Sequence, residues 1–482
     1  SMVFLEALRQ FQFVVGRENV VFVHVSLVPA VGGEAEQKSK PTQHSVKELR
    51  SLGLSPDIIV CRSGSELSAS ARQKISTFCH VPPSQIVSVF DVSNIYHVPL
   101  ILERQNVHRI VQRLLDLPVL SPNLAAWQAM AERVDHLAEK VDIAVVGKYI
   151  EQQDSYLSLL KALKHSAIAL NTDVVVNWVE ASDLEDACKS AQPEKHSQAW
   201  AVLRRVKGIL VPGGFGARGI EGKVLAAQFA REHKVPYLGI CLGMQIMVIE
   251  FARHVLGLAQ ANSTEFDPQT PHPVVIFMPE ISQAEMGGTM RLGSRSTKVQ
   301  TCSLAAQIYG ESDIDQSDLS SSFEIYERHR HRYEINPEYV SSLSNQGIRF
   351  SGTGDDGGRM VTAELNEQDH PFFFGTQFHP EFKSRPNRPS PPFFAFAAAA
   401  LGKRDKLGEA GVMWRNHEEA IKSEIALLYS PTSFKRKEVP VSNATLTVAT
   451  NADLNGFSDS TYIGDGSSTV LTTPISKTRR LV

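Results

Sequence analysis

The sequence predicts an α/β protein with two successive domains, each built on a sheet of mainly parallel strands covered by helices. Two observations support this prediction. Short runs rich in Val and Ile alternate with segments of helical period, both before residue 120 and after residue 141. A break at residues 120–123 separates the two series. With 482 residues, the chain has room for about two or three domains.

The first series occupies residues 1–120. Its start reads as the interior of a helix, and three strands are predicted at residues 20–27, 57–61 and 85–90. Helical segments at residues 45–52 and 68–79 lie between them, and an amphipathic helix at residues 104–117 closes the series. This βαβ order predicts a parallel sheet. Residues 121–141 are predicted to be a linker that contains a helix.

The second series defines a domain over residues 142–402. Its strands are predicted at 142–147, 173–179, 208–211, 236–240, 273–278, 347–351 and 372–377. Residues 403–482 are predicted to be a mostly disordered tail rich in Ser and Thr, with one helix at residues 412–428.

Composition limits the function classes. A formal net charge of -3 provides no broad basic field, so neither nucleic acid nor a membrane is an expected partner. Five cysteines without a CxxC pair favour neither a disulfide framework nor a zinc site, and a reducing, cytoplasmic location is expected. No apolar run reaches 18 residues, which predicts that no helix spans a membrane.

The strongest motif surrounds Cys241. An apolar strand leads into Gly239-Ile240-Cys241-Leu242-Gly243 and then into an apolar helix, the pattern of a nucleophile elbow. The two glycines permit a sharp turn that lifts the sulfur above the sheet, at a helix N-terminus. The alternative for a single cysteine is a buried structural role.

A second motif, His379-Pro380-Glu381, follows the apolar run of residues 372–378. Side chains two residues apart share one face of an extended segment, so His379 is a candidate base and Glu381 its orienting carboxylate. Alone, His379 could be a structural histidine.

A third motif, Gly213-Gly214, follows the strand at residues 208–211. The backbone N–H groups of Gly214 and Leu242 are candidates for an oxyanion hole. Read alone, this glycine pair predicts only a turn.

In this order and spacing, the three motifs resemble those of class I glutamine amidotransferases. The resemblance covers residues 142–400. It implies that glutamine is hydrolysed through a glutamyl-thioester on Cys241, and that the ammonia is passed to a second site.

Three further stretches resemble the CTP synthases: KSKPTQHS at residues 38–45, GGTMRLG at 287–293 and ERHRHRYE at 327–334. The resemblance implies that Arg332, at the end of a polar loop, clamps the α-carboxylate of glutamine, while Gly213, Gln245 and Glu265 hold the rest. The alternative for residues 327–334 is a charged strand facing solvent.

The same resemblance implies nucleotide sites. UTP, or CTP as inhibitor, would contact residues around a helix whose N-cap is Thr42 or Ser45: Lys38, Lys40, Gln43, Lys74 and Phe78. ATP would lie near Arg62 and Asp91. GTP, the allosteric activator, would bind at Lys148, Tyr149, Phe215 and Arg218.

The fold implied is a doubly wound amidotransferase domain preceded by part of a P-loop-type α/β synthetase domain. The sequence contains no phosphate loop, and the run at residues 217–224 lacks that motif's first glycine and its final Ser or Thr. The chain is therefore expected to begin inside the synthetase domain. The family uses ATP with Mg²⁺, but no metal ligands are recognised here.

The activity expected of this chain is the glutaminase half-reaction of CTP synthesis. Full-length members of the family are expected to form tetramers and filaments. Two alternatives stay open. The chain could be a non-catalytic regulatory or assembly subunit that joins full-length CTP synthase. It could also be another class I amidotransferase, such as a GMP synthase.

Overall fold

The computed structural model describes the chain in segments, namely residues 2–31, 36–151, 153–278, 290–310, 321–354 and 358–428. The chain divides into two units, Ser1–Ile421 and Lys422–Val482. Of the second unit, the final turns of one helix are described.

Seventeen strands lie in the described segments: β1 Val23–Leu27, β2 Ala30–Val31, β3 Glu36–Gln37, β4 Ile58–Ser63, β5 Ile86–Phe90, β6 Glu139–Gly147, β7 Thr172–Glu180, β8 Gly208–Val211, β9 Tyr237–Ile240, β10 Ala261–Ser263, β11 His272–Phe277, β12 Arg291–Gln300, β13 Ser322–His331, β14 Tyr333–Ile335, β15 Ile348–Gly354, β16 Met360–Leu365 and β17 Phe373–Thr376.

Fifteen α-helices accompany them in the same segments: α1 Met2–Val15, α2 Lys40–Ser51, α3 Ala69–Cys79, α4 Val98–Arg104, α5 Val107–Leu114, α6 Ala125–Asp135, α7 Leu157–Ala169, α8 Asp186–Ala191, α9 Pro193–Arg205, α10 Ile220–Glu232, α11 Leu242–His254, α12 Leu304–Ile308, α13 Pro337–Asn345, α14 Pro391–Ala400 and α15 Glu409–Leu428.

The N-terminal segment contains a three-stranded parallel sheet in the order β1-β4-β5. Its core joins Ile59 and Cys61 of β4 to Val46 of α2 and Ile75 of α3, all fully buried. Parallel pairing follows from the helical crossovers, which return each strand in the same direction. The predicted α/β class is confirmed here.

A nine-stranded sheet forms the second domain, in the order β13-β12-β15-β16-β17-β9-β8-β6-β7. From β17 to β7 all neighbours are parallel, and from β13 to β17 all are antiparallel. Helices α10 and α11 cover one face of the parallel half, and α7 and α14 cover the other. Both faces are therefore buried, which explains the continuous apolar runs of β8 and β9.

The antiparallel half differs from the expectation. The sequence pattern predicts no strand at β12, β13 or β16, and it predicts a loop for the stretch ending in Arg332. Residues 327–331 are instead the last part of β13, which pairs with β12 over ten residues. Both strands alternate polar and partly buried side chains, so their sequences carry a weak apolar signal.

A second difference concerns the start of helix α2. The helix begins at Lys40 and its N-cap position is Ser39, so the predicted caps Thr42 and Ser45 are wrong. Pro41 in the first turn fixes this early start, because its ring suits the beginning of a helix.

The predicted helix in the tail is present as α15. Residues 429–482 and residues 287–289 of the GGTMRLG stretch lie outside the described residues. Of the helices that are described, none is both long and apolar enough to cross a bilayer.

Candidate active site

The turn between β9 and α11 places Cys241 at the carboxyl edge of the large sheet. Its backbone has φ 53° and ψ −101°, a left-handed conformation that is strained for a residue with a side chain. A Cβ added to Gly239 would lie 2.5 Å from the carbonyl oxygen of Gly243, and one added to Gly243 would lie 2.0 Å from that of Val211. Glycine is thus required on both sides of the cysteine.

The neighbouring strand β17 delivers the candidate base. His379 follows the strand by three residues, and its Nδ1 lies 2.8 Å from Oε1 of Glu381. The side chains of His379 and Cys241 line the same cavity. The backbone N–H of Cys241 donates to the carbonyl of Thr376 at 2.6 Å, which holds the two strand ends in register. The structure therefore brings the three predicted residues together.

The charge state of His379 follows from these contacts. Burial lowers its pKa, but the negative charges of Cys241 and Glu381 and the hydrogen bond to Glu381 raise it more strongly, so the net pKa lies above the usual value. The imidazole is therefore protonated near neutral pH, and it faces the sulfur as a cation.

The glycine run, residues 212–216 directly after β8, packs against the imidazole of His379. A Cβ added to Gly213 would lie 2.9 Å from Cε1 of His379 and 3.5 Å from Cβ of Cys241. A cavity of about 260 Å³ opens here, with Gly213, Gly214, Cys241, His379 and Glu381 in its lining. A Cβ on Gly214 would lie 3.6 Å from Cδ2 of Leu242, so the two candidate oxyanion residues are neighbours.

Gln377 is a site residue that the sequence motifs do not single out. Its Nε2 lies 3.6 Å from Sγ of Cys241, and its Oε1 accepts from Nε2 of Gln245 at 3.1 Å. The same Nε2 of Gln245 donates to the carbonyl of Tyr333 at 3.0 Å. Both amides are buried, so Gln245 reaches the nucleophile through Gln377. The feature of the sequence that could have indicated this role is the position of Gln377 two residues before His379.

Glu265 and Arg332, both predicted glutamine ligands, are near each other. Oε1 of Glu265 accepts the backbone N–H of Gly216 at 3.0 Å. Burial raises the pKa of Glu265, while that hydrogen bond and the charges of Lys148 and Arg332 lower it. A carboxylate and a guanidinium near each other are complementary to the ammonium and carboxylate of a free amino acid.

The four residues predicted for GTP are gathered around the glycine run. Nζ of Lys148 donates to the carbonyl of Phe215 at 2.9 Å, and also to that of Gly216. The guanidinium carbon of Arg218 lies 4.8 Å from the ring centre of Tyr149. Burial lowers the pKa of Lys148. Lys148 thus fastens the loop that carries Phe215.

Lys223 of α10 is a second unpredicted feature. The side chain is 1% exposed, and its Nζ lies 3.7 Å from where a Cβ of Gly214 would be. Burial, together with the positive charge of Lys148, lowers the pKa of Lys223 to about 7. Its signal in the sequence is weak, because a single lysine in an apolar helix reads as a surface residue.

The residues predicted for UTP and ATP lie near the carboxyl ends of the three-stranded sheet. Nζ of Lys38 lies 2.6 Å from Oε2 of Glu36, and Nε2 of Gln43 donates to Oγ of Ser39 at 3.0 Å. Arg62 and Asp91, at the ends of neighbouring strands, form an ion pair.

The remaining three are exposed on the helices of the same sheet. Lys40 begins α2, and Lys74 and Phe78 share one face of α3, where Phe78 is 63% exposed. Across the described segments there is no group of three or more His, Cys, Asp or Glu side chains that could hold a metal ion.

Two protein-family models match the chain: "CTP synthase N-terminus" at residues 1–117 and "Glutamine amidotransferase class-I" at residues 152–399. The chain is 51% identical over 407 residues to CTP synthase 1 of Homo sapiens, a match that covers 84% of this chain and 67% of that protein. It is 50% identical over 406 residues to the CTP synthase of Thermococcus kodakarensis, covering 84% and 72%. Among solved structures, the glutaminase domain of Trypanosoma brucei CTPS with bound acivicin is similar, at 38% identity and a TM-score of 0.48, over 55% of this chain and 94% of that one.

Proposed function

The chain belongs to the CTP synthase family of glutamine-hydrolysing ligases, and we propose that its residues 142–402 hydrolyse glutamine through a thioester on Cys241. One observation carries the proposal. Cys241 occupies a strained strand-to-helix turn, and it lines the same cavity as an imidazole whose Nδ1 lies 2.8 Å from Oε1 of Glu381.

In the proposed reaction, glutamine binds beside Cys241 with its α-ammonium toward Glu265 and its α-carboxylate toward Arg332. The cavity of about 260 Å³ that exposes Cys241 and His379 is lined by neither of these two ligands. Gly213 forms the close wall, and Gln245 supports the site through Gln377. The thiolate of Cys241 attacks the side-chain carbonyl carbon, and the N–H groups of Gly214 and Leu242 stabilise the resulting oxyanion.

His379 then serves first as an acid and later as a base. Its imidazolium gives a proton to the leaving nitrogen, so that ammonia departs and the thioester remains. The neutral imidazole next takes a proton from water, which attacks the thioester and releases glutamate. Glu381 keeps Nδ1 protonated and stabilises the imidazolium throughout.

The fate of the ammonia is the second part of the proposal. In the family reaction it replaces the 4-oxygen of UTP after phosphorylation by ATP. We assign UTP or CTP to the surface that carries Lys38, Lys40, Gln43, Lys74 and Phe78, and ATP to Arg62 and Asp91.

GTP is proposed as an activator at Lys148, Tyr149, Phe215 and Arg218. The support is that Lys148 holds the carbonyls of the glycine run, which borders the oxyanion site. A ligand that contacts this lysine would change the position of that loop.

The test compares the wild-type chain with Cys241→Ala and Cys241→Ser for release of glutamate from glutamine, with and without GTP. The proposal expects turnover in the wild type and none in Cys241→Ala. Equal turnover in both would contradict it. Addition of UTP, ATP and Mg²⁺ tests separately for CTP.

A second candidate role is association with full-length members of the family, as a regulatory or assembly subunit. The observation in its favour is the apolar surface of β1, where Val23, Val25 and Leu27 are at least half exposed. Sedimentation of the Cys241→Ala variant mixed with a full-length relative tests this role without any contribution from catalysis. Co-sedimentation supports it, and separate boundaries contradict it.

A further inference from the structure

The first turns of helix α15 lie beyond residue 399, where the match to the amidotransferase family ends, and yet they pack closely against residues 309–310 of the catalytic domain. A Cβ added to Gly411 would lie 2.1 Å from the carbonyl carbon of Tyr309, and one added to Gly310 would lie 2.8 Å from the nitrogen of Val412. Arg415 also donates to the carbonyl of Tyr309 at 3.3 Å. Backbones this close require glycine, so the contact is specific to this pairing of segments.

Trp414 is the central side chain of this contact. It is 7% exposed, and its Nε1 donates to the carbonyl of Pro389 at 2.7 Å. Two cations lie against its ring: Nζ of Lys383 at 4.5 Å from the ring centre, and the guanidinium carbon of Arg388 at 4.7 Å. Both distances are in the range of cation–π attraction.

Lys383 connects this tryptophan to the catalytic turn. It closes the single 3₁₀ turn Pro380–Lys383 that contains Glu381. Its Nζ lies 3.6 Å from Oε1 of Glu327 and also donates to the carbonyl of Tyr326. The ammonium group of Lys383 is thus held by Trp414, Glu327 and Tyr326 together. These contacts fix the turn, and with it the direction of the Glu381 side chain.

The buried carboxyl group of Glu327 is the ion-pair partner of Lys383. The carboxyl is 1% exposed, and its Oε1 also accepts from the hydroxyl of Tyr309 at 3.1 Å. Burial raises the pKa of Glu327 to about 7, Lys383 and the Tyr309 hydroxyl lower it, and the charge of Glu381 raises it. Oε2 of Glu327 and Oε2 of Glu381 are both buried without a hydrogen-bond partner among the described residues.

We propose that Trp414 and Lys383 are positioning residues for Glu381. Trp414 of helix α15 holds the ammonium group of Lys383 against its ring. Lys383 in turn offsets the negative charge of Glu327, which would otherwise repel Glu381. Glu381 therefore stays directed at His379. The inference rests on the proposed function, since it assigns a role within the same triad. It adds to that function a dependence of catalysis on a helix outside the family match.

The test uses variants that separate charge from packing. Trp414→Phe keeps an aromatic face for Lys383, Trp414→Leu removes it, and Asn416→Ala on the exposed side of α15 is the matched control. Loss of a partly buried cation–π contact predicts a fall in kcat of about tenfold for Trp414→Leu, with KM within about twofold. Trp414→Phe and Asn416→Ala should stay within about twofold of the wild type.

Lys383→Met should lower kcat to a similar extent, and adding Glu327→Gln to it should restore most of the loss, since no buried charge then needs offsetting. A merely structural role would not produce this rescue. The inference is overturned if Trp414→Leu leaves kcat unchanged, if Trp414→Phe falls as far as Trp414→Leu, or if the double variant is no better than Lys383→Met.

Thermal unfolding of each variant sets the assay temperature below its transition. The pKa of the His379 ring, followed by NMR, gives a readout that needs no turnover, and the inference expects it to fall in Trp414→Leu. If the wild type releases no glutamate from glutamine, the proposed function fails. An unchanged His379 pKa in Trp414→Leu contradicts the positioning role alone.

Discussion

The contact between His379 and Glu381 allows a magnitude to be worked out. The two side chains are 12% and 9% exposed, and Nδ1 lies 2.8 Å from Oε1. A buried hydrogen bond to a charged group contributes about 1.5–3 kcal/mol. In Glu381→Gln the amide oxygen can still accept from Nδ1, but the charge that stabilises the imidazolium is lost. Since about 1.4 kcal/mol corresponds to a factor of ten, kcat should fall by about 10- to 100-fold.

The assay is glutamate release at several glutamine concentrations and pH values. KM should stay within about twofold, because the carboxylate of Glu381 acts on the imidazole and not on the proposed substrate groups. The pKa of His379 should fall as well. Glu367→Gln, which alters an exposed carboxylate in an ion pair with Arg404, is the control. If Glu381→Gln kept kcat within twofold of the wild type while Cys241→Ala had no activity, the assigned role of Glu381 would be refuted.

Three further outcomes are expected. Gly213→Ala should lower kcat by about 100-fold, since its Cβ would displace the ring of His379; an unaltered kcat would contradict the close approach of the glycine run to the base. Because the pKa of His379 is raised to about 10, the stabilisation from its charged ring is complete below the usual histidine pKa and is lost as the pH rises through the raised value. An NMR titration of the His379 ring should therefore give a pKa well above that of a free histidine, and a value at or below it would contradict the charge assigned to the ring. Arg231→Met should destabilise the domain by about 3 kcal/mol in urea unfolding, because Glu250 is 0% exposed and loses its partner at 2.8 Å; a loss under about 1 kcal/mol would count against that pairing.

Local sequence is sufficient to predict the strands that are buried on both faces of the sheet. Runs such as those of β8 and β9 are apolar throughout, and the glycines beside Cys241 are dictated by close backbone contacts. These features depend on few residues, and they are adjacent in the chain. The elbow and the strand preceding His379 can therefore be predicted.

The antiparallel half cannot be predicted in the same way. Strands β12 and β13 are stabilised mainly by pairing with each other, and their side chains are largely polar. Pairing between distant segments leaves no local period to recognise.

The contacts around the site depend on distant segments as well. Gln377 is joined to Gln245 across 132 positions, and Lys148 reaches Phe215 across 67. Lys223 and Trp414 become notable only when burial is known. Long-range contacts of this kind set the electrostatics of the site, and no local motif indicates them.

The most direct test of the account is covalent labelling with an electrophilic chloroketone analogue of glutamine, followed by peptide mapping. The account predicts a single modified residue, Cys241, with labelling slowed by excess glutamine and by His379→Ala. Cys302, which is exposed, should stay unmodified under the same conditions. Labelling that falls on Cys302 instead, or that glutamine does not slow, would contradict the thioester chemistry assigned to Cys241.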